Sequence, residues 1–253
     1  MIKTKERELK QIYAMVVIVF LVFLLIPIVL LLGKSFEGGG GVSLEHYADV
    51  AGGKGFAAAF GRSIFVSCVS AVLTTALAFV LAYTIHYTNV PGGLKKFIRL
   101  AAVVPMLLPT ITYGFAIIYS FGRQGFITGM IGHQMFEIYG FYGLLLGYVI
   151  YTLPISFMLI LNTMSFIDKK FMIVSRIMGD SPLKTFLGTV IRPLLGTLAA
   201  SFVQCFFLCF TDFGIPASVG GQYDVVATVL YNEMLGSVPD FNRGAVVAMF
   251  MLV

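Results

Sequence analysis

Runs of apolar residues long enough to cross a bilayer recur along this chain, and nothing else in it constrains the fold so strongly. A helix needs about 20 such residues to span the hydrocarbon core, and five runs qualify, at 11–33, 63–87, 100–121, 138–164 and 194–215. The composition agrees: 58% of the residues are hydrophobic and 11% charged, where a soluble domain carries about 25% charge. So little charge cannot cover a water-exposed globule. Backbone polar groups inside lipid must also be satisfied within each segment, so the chain reads as an all-α polytopic membrane protein. The first run exceeds the 7–15 residues typical of a cleaved signal's apolar stretch and is read as an anchor. A sixth run starts near Gly244 and stops at Val253, about half a crossing. The expectation is therefore the front part of a longer protein, divided into an anchor with its outside loop (1–61) and a transmembrane domain (62–253).

Basic residues in short loops stay on the cytoplasmic side. With the N-terminus inside, Lys3, Lys5, Arg7, Lys10, Lys95, Lys96, Arg99, Lys169, Lys170, Arg176, Lys184 and Arg192 all fall inside. Of the 17 basic residues only Lys34, Lys54, Arg62, Arg123 and Arg243 remain outside, where Glu37, Glu45, Asp49, Glu137, Asp224, Glu233 and Asp240 also lie. The expected location is the plasma membrane, multi-pass, with a cytoplasmic N-terminus. The net charge of +5 is thus a topology signal, and no basic groove with interleaved aromatics points to nucleic acid.

Several groups are read as structural. Cys68, Cys205 and Cys209 lie in spans and act as small hydrophobes. His46, His86 and His133 are scattered, so no metal site is expected. The outside loop at 34–62 opens with four glycines and holds a short helix, SLEHYADV, capped by Ser43. Pro105, Pro109 and Pro154 interrupt spans, where proline removes a hydrogen bond and bends the helix. Three polar residues are candidates for a transport path: Asn162 and Gln204 within spans, and Asp212 at the end of the fifth, since ionisable groups in membranes are functional by default.

The inside loop between the fourth and fifth spans is built differently. SFIDKKFMIVSRIMG reads as a helix starting near Asp168 and ending at Gly179, a position that favours the left-handed conformation. Asp180 or Ser181 caps a second short helix, with Pro182 at its first position. On it Leu183, Phe186, Leu187 and Val190 form one apolar stripe, and Pro193 resets the chain for the fifth span.

MGDSPLKTFLGTVIRPLLG resembles the cytoplasmic EAA loop of binding-protein-dependent ABC importer permeases. Gly179 matches the family glycine, Ser181-Pro182 its frequent continuation, and Pro193 its closing proline, one residue late. Ile173, Val174 and Ser175 stand in place of Glu-Ala-Ala. DFGIPASVGGQYDVVATVLYNEM, from Asp212 onward, is similar to the subgroup for iron(III), 2-aminoethylphosphonate and polyamine-type substrates, whose members are often two fused halves. The resemblance implies a type-1 ABC importer transmembrane domain. It also implies an external solute-binding protein, a second permease half, and ATPase subunits that grip the loop through Ile173, Ser175, Arg176, Gly179, Asp180, Ser181, Pro182, Leu183, Phe186 and Pro193. The chain itself would bind no cofactor and be no enzyme, ATP being used by the partner. Consistently, GGKG at 52–55 lacks the spacing and hydroxyl of a phosphate-binding loop. The alternative is a gradient-driven secondary transporter using Asp212. A membrane enzyme comes third, lacking clustered catalytic side chains.

Overall fold

The computed structural model describes residues 2–38 and 41–252, with side chains from Glu8 onward. Expectations resting on the side chains of Lys3, Lys5 and Arg7, on Gly39 and Gly40, or on Val253 lie outside the described residues. Among the described residues, four helices are long and apolar enough to cross a membrane: Glu8–Ser35, Lys54–Tyr87, Phe141–Ser165 and Pro182–Thr211. A bent pair, Gly92–Leu107 with Thr110–Ile131, adds a fifth if counted as one broken span. The chain is a multi-pass, all-α membrane protein, and it divides into two compact units.

The first unit comprises Met1–Ala57 and Val229–Val253. In it α1 (Ile2–Phe20) runs through a wide π turn at Leu21–Leu25 into α2 (Ile26–Ser35). Ile18, Phe23 and Leu30 are all more than half exposed, as expected of side chains facing lipid. A two-residue hairpin, β1 (Glu37–Gly38) with β2 (Gly41–Val42), leads to α3 (Glu45–Gly52). Leu44, not Ser43, stands at the cap position of that helix, though Ser43 Oγ accepts from the Glu45 N–H at 3.0 Å.

The second unit, Ala58–Thr228, is built on α4 (Lys54–Tyr87), which starts nine residues before the apolar run suggested. Its buried face is a stripe of small residues, among them Ala59, Ser63, Ser67, Ala71, Thr74, Ala78 and Ala82. Small side chains let helices approach closely where no hydrophobic force drives association. Against it pack α8 (Phe141–Ser165) and α11 (Arg192–Thr211). A hydroxyl seam joins the three: Thr74 to Thr152 at 3.0 Å, Ser156 to Ser201 at 2.5 Å and Thr75 to Ser201 at 3.3 Å. Toward one end the core turns apolar, with Ala82, Ile85, Phe157, Ile160, Met164, Val190 and Leu194 buried together.

The third apolar run is sharply broken at its prolines. α5 (Gly92–Val103) passes into a 3₁₀ turn at Val104–Leu107, and α6 (Thr110–Phe121) leaves at 113° to it. Leu108 is extended because the ring of Pro109 excludes the helical region for its predecessor. The Tyr113 hydroxyl donates to the Pro105 carbonyl, which also accepts the Leu108 N–H, and lies 3.2 Å from the Leu108 carbonyl, tying α6 back to the break. Pro154, by contrast, sits inside an unbroken α8. After α7 (Phe126–Ile131) and α8, the loop carries α9 (Lys170–Ile177) and α10 (Pro182–Phe186).

A second correction concerns Pro193. It does not reset the chain. α10 continues through a π turn, Leu187–Ile191, straight into α11. There the Arg192 N–H bonds the Leu187 carbonyl, and this widened turn accommodates the proline that follows. α11 then ends at Thr211 rather than Ile215, and α12 (Gly214–Val219) begins. It lies so close to α6 that a Cβ on Gly114 would overlap the Ser218 side chain. The chain closes with α13 (Val226–Leu235) and α14 (Phe241–Leu252), the latter starting three residues before Gly244.

Candidate functional site

The inside loop folds into a helix pair whose angle is locked locally. Just ahead of α9, Asp168 Oδ1 accepts from the Lys170 N–H at 2.9 Å. It ends in a Schellman turn: the Asp180 N–H bonds the Ser175 carbonyl, and the Gly179 N–H bonds that of Arg176, both at 3.1 Å. Gly179 takes φ +83°, a conformation that costs any other L-residue free energy. Ser181 then caps α10, its Oγ accepting from the Lys184 N–H at 3.3 Å, with Pro182 at the first helical position.

Four side chains tie the two helices together. Ser175 Oγ donates to Asp180 Oδ2 at 2.8 Å and lies 3.0 Å from the buried Thr185 Oγ1. Lys184 Nζ pairs with Asp180 Oδ1 at 2.5 Å. The Lys184 ammonium, and then the Ser175 hydroxyl, hold the Asp180 carboxyl below its ordinary range. The sequence reading picked Ser175, Asp180 and Ser181 but passed over Lys184 and Thr185. The signal for Lys184 was its i, i+4 spacing from an acid.

The apolar stripe on α10 splits in two. Phe186 turns inward, edge-on to Phe79 and Tyr83, and Val190 is fully buried. Leu183 and Leu187 instead face an open groove with Phe171, Val174, Met178 and Leu195. Leu183 is 67% exposed and Met178 78%. Ile173 and Arg176 are also exposed on α9, while Pro193 is exposed at the start of α11. The structure therefore brings nearly all the loop candidates onto one rigid element, with a greasy face open to whatever approaches.

The three path candidates are not brought together. Asn162 and Gln204 are exposed on α8 and α11. Asp212, just past α11, caps α12 by accepting from the Ile215 N–H at 2.9 Å, and it also takes a hydrogen bond from Thr110 at the start of α6. The sequence did not place Thr110 beside it.

No protein-family model matches the chain. It is 25% identical over 245 residues to the ferric transport system permease protein FbpB of Actinobacillus pleuropneumoniae, covering 94% of this chain and 35% of that protein. It is 26% identical over 200 residues to a probable sulfate transport system permease protein of Helicosporidium sp., covering 78% and 73%. To the thiamine transport system permease protein ThiP of Salmonella typhimurium it is 28% identical over 197 residues, covering 76% and 36%. The chain thus spans about a third of the length of its ferric relatives. Among solved structures, a bacterial ABC transporter for the import of alginate superposes with a TM-score of 0.81 at 14% identity, over 98% of this chain and 92% of that one. This likeness shows the type-1 importer transmembrane fold. In sequence this chain is similar to the permease proteins of ferric, sulfate and thiamine transport systems, and in fold to an ABC importer.

Proposed function

We propose that this chain forms one half of the membrane path of an ATP-driven importer, and that the α9–α10 pair is the dock for an ATPase subunit. The observation that carries this is the locked helix pair with an exposed apolar face. A loop meant only to connect two spans has no need of a Schellman turn, a serine cap and an ion pair, and exposed Leu and Met on a rigid element mark an interaction surface. The basic loops support an N-terminus on the cytoplasmic side, which puts the dock where ATP is.

The partners are ATPase subunits inside, a solute-binding protein outside and a second permease half, fused or separate. α11 suits that second half: Gly196, Ala200, Gln204 and Thr211 are exposed along one face, and a glutamine turned to lipid is costly unless another chain covers it. The substrate supported first is iron(III), through the ferric relatives, with a phosphonate-type solute second. The bonds of Asp212 to Ile215 and Thr110 favour a structural task for it over ion coupling.

The test is to purify the full-length protein in mild detergent and identify what accompanies it. A nucleotide-binding subunit is expected, and Leu183→Asp should lower its recovery at least about tenfold, as loss of a central apolar anchor does. A well-behaved protein that never carries an ATPase would overturn the reading.

A further inference from the structure

The end of α4 gathers two basic clusters that are far apart in sequence. Lys95 Nζ donates to the Thr88 carbonyl at 2.8 Å, and Lys169 Nζ donates to that of His86. Lys169 also lies 5.8 Å from the centre of the Tyr87 ring. Both lysines thus complement the negative end of α4, where unpaired carbonyls collect. Beside them Lys96 and Arg99 on α5 and Lys170 at the start of α9 are exposed. Among the described residues none of these five pairs with a carboxylate. The neighbouring acid, Asp168, accepts a backbone N–H instead. His86 Nε2 is buried here with no hydrogen-bond partner.

Apolar side chains alternate with these cations. On α5 Leu94, Phe97 and Leu100 are 48%, 66% and 63% exposed, while Ile98 and Ala102 turn in to the core. A surface that sets ammonium and guanidinium groups beside lipid-facing hydrocarbon matches a phosphate joined to acyl chains.

We propose that the end of α4, with α5 and the start of α9, is a binding site for the headgroup of an anionic phospholipid. The phosphate sits among Lys96, Arg99 and Lys170, with Lys95 and Lys169 behind them, and the acyl chains lie along Phe97 and Leu100. The site needs only that the chain is embedded in a membrane, and does not depend on the importer reading.

The experiment is native mass spectrometry of the detergent-purified full-length protein after adding phosphatidylglycerol or phosphatidylcholine. Wild type should retain phosphatidylglycerol about tenfold or more over phosphatidylcholine, and salt should reduce the difference. The triple variant K96Q/R99Q/K170Q, which leaves the bonds of Lys95 and Lys169 to α4 in place, should lose the preference. The charge-conserving K96R/R99K variant should keep it, which separates lost charge from lost fold. Equal retention of the two lipids by wild type overturns the proposal, as does an unchanged preference in the triple variant. If that variant keeps its lipid but loses an acidic partner protein, the patch is a protein dock instead. Lipid retention is read on the permease itself, so the result stands whether or not an ATPase co-purifies.

Discussion

At the scale of residues, the loop depends on a few groups whose replacement cannot be absorbed. Gly179 has no atom within 4 Å of where a Cβ would stand, so its requirement is conformational and not steric: φ is +83°. Asp180 is the electrostatic counterpart. Its carboxyl is held low by Lys184 and then by Ser175, so its contribution to loop order is present above the ordinary carboxylate range and is lost as pH falls through its depressed pKa. A carbon-detected NMR titration should therefore find Asp180 ionising below an ordinary aspartate, and Lys184→Ala should move it back up. An ordinary value in the wild type would mean that the pair does not persist in solution. Both residues were visible in the sequence, Gly179 as a helix stop and Asp180 as a candidate cap. Their actual division of labour was not, because Ser181 supplies the cap and leaves the carboxylate free to bridge α9 to Lys184.

At the scale of elements, the broken third run has the most to teach. Two prolines a turn apart announce a disturbance, yet a proline can also sit in a continuous membrane helix, as Pro154 does in α8. The difference lies in what holds the break. Tyr113, folded back from α6, donates to the Pro105 carbonyl, which also takes the Leu108 N–H, and lies 3.2 Å from the Leu108 carbonyl, so a side chain of α6 fastens the point where the chain turns through 113°. Tyr113→Phe should cost about 0.5–1.5 kcal/mol, the net worth of one hydrogen bond. Its thermal midpoint in detergent should fall while Tyr151→Phe, which makes neither of these bonds, changes it less. Equal effects would remove Tyr113 as the keystone of the break. The π turn before Pro193 makes the same point in reverse: a proline that looked like a stop is carried inside a 30-residue helix, Pro182–Thr211.

At the scale of the whole molecule, the second unit joins its long helices by small residues and shared hydroxyls as well as by buried apolar bulk. Ser201 of α11 lies 2.5 Å from Ser156 of α8 and 3.3 Å from Thr75 of α4, so one side chain touches the three helices that define the core. Ser201→Ala should destabilise the protein by about 1 kcal/mol, the usual worth of an interhelical hydrogen bond in a membrane, seen as unfolding at lower denaturant. No change would show that packing of the small residues alone suffices. The sequence by itself determined the solvent in which this protein folds, the number of apolar runs and the existence of a capped helix pair between the last two long ones. Those features follow from hydropathy, charge placement and φ preferences, which act within a few residues. Only the tertiary structure decided which prolines break a helix, that Leu183 and Leu187 face out while Phe186 and Val190 face in, that Asp212 bonds Ile215 of α12 and Thr110 of α6, and that Lys95 meets Lys169 at the end of α4. Each of those depends on which distant group arrives to satisfy a carbonyl, a carboxylate or an apolar face, and inside a bilayer, where water cannot serve as the substitute partner, that arrival sets the conformation.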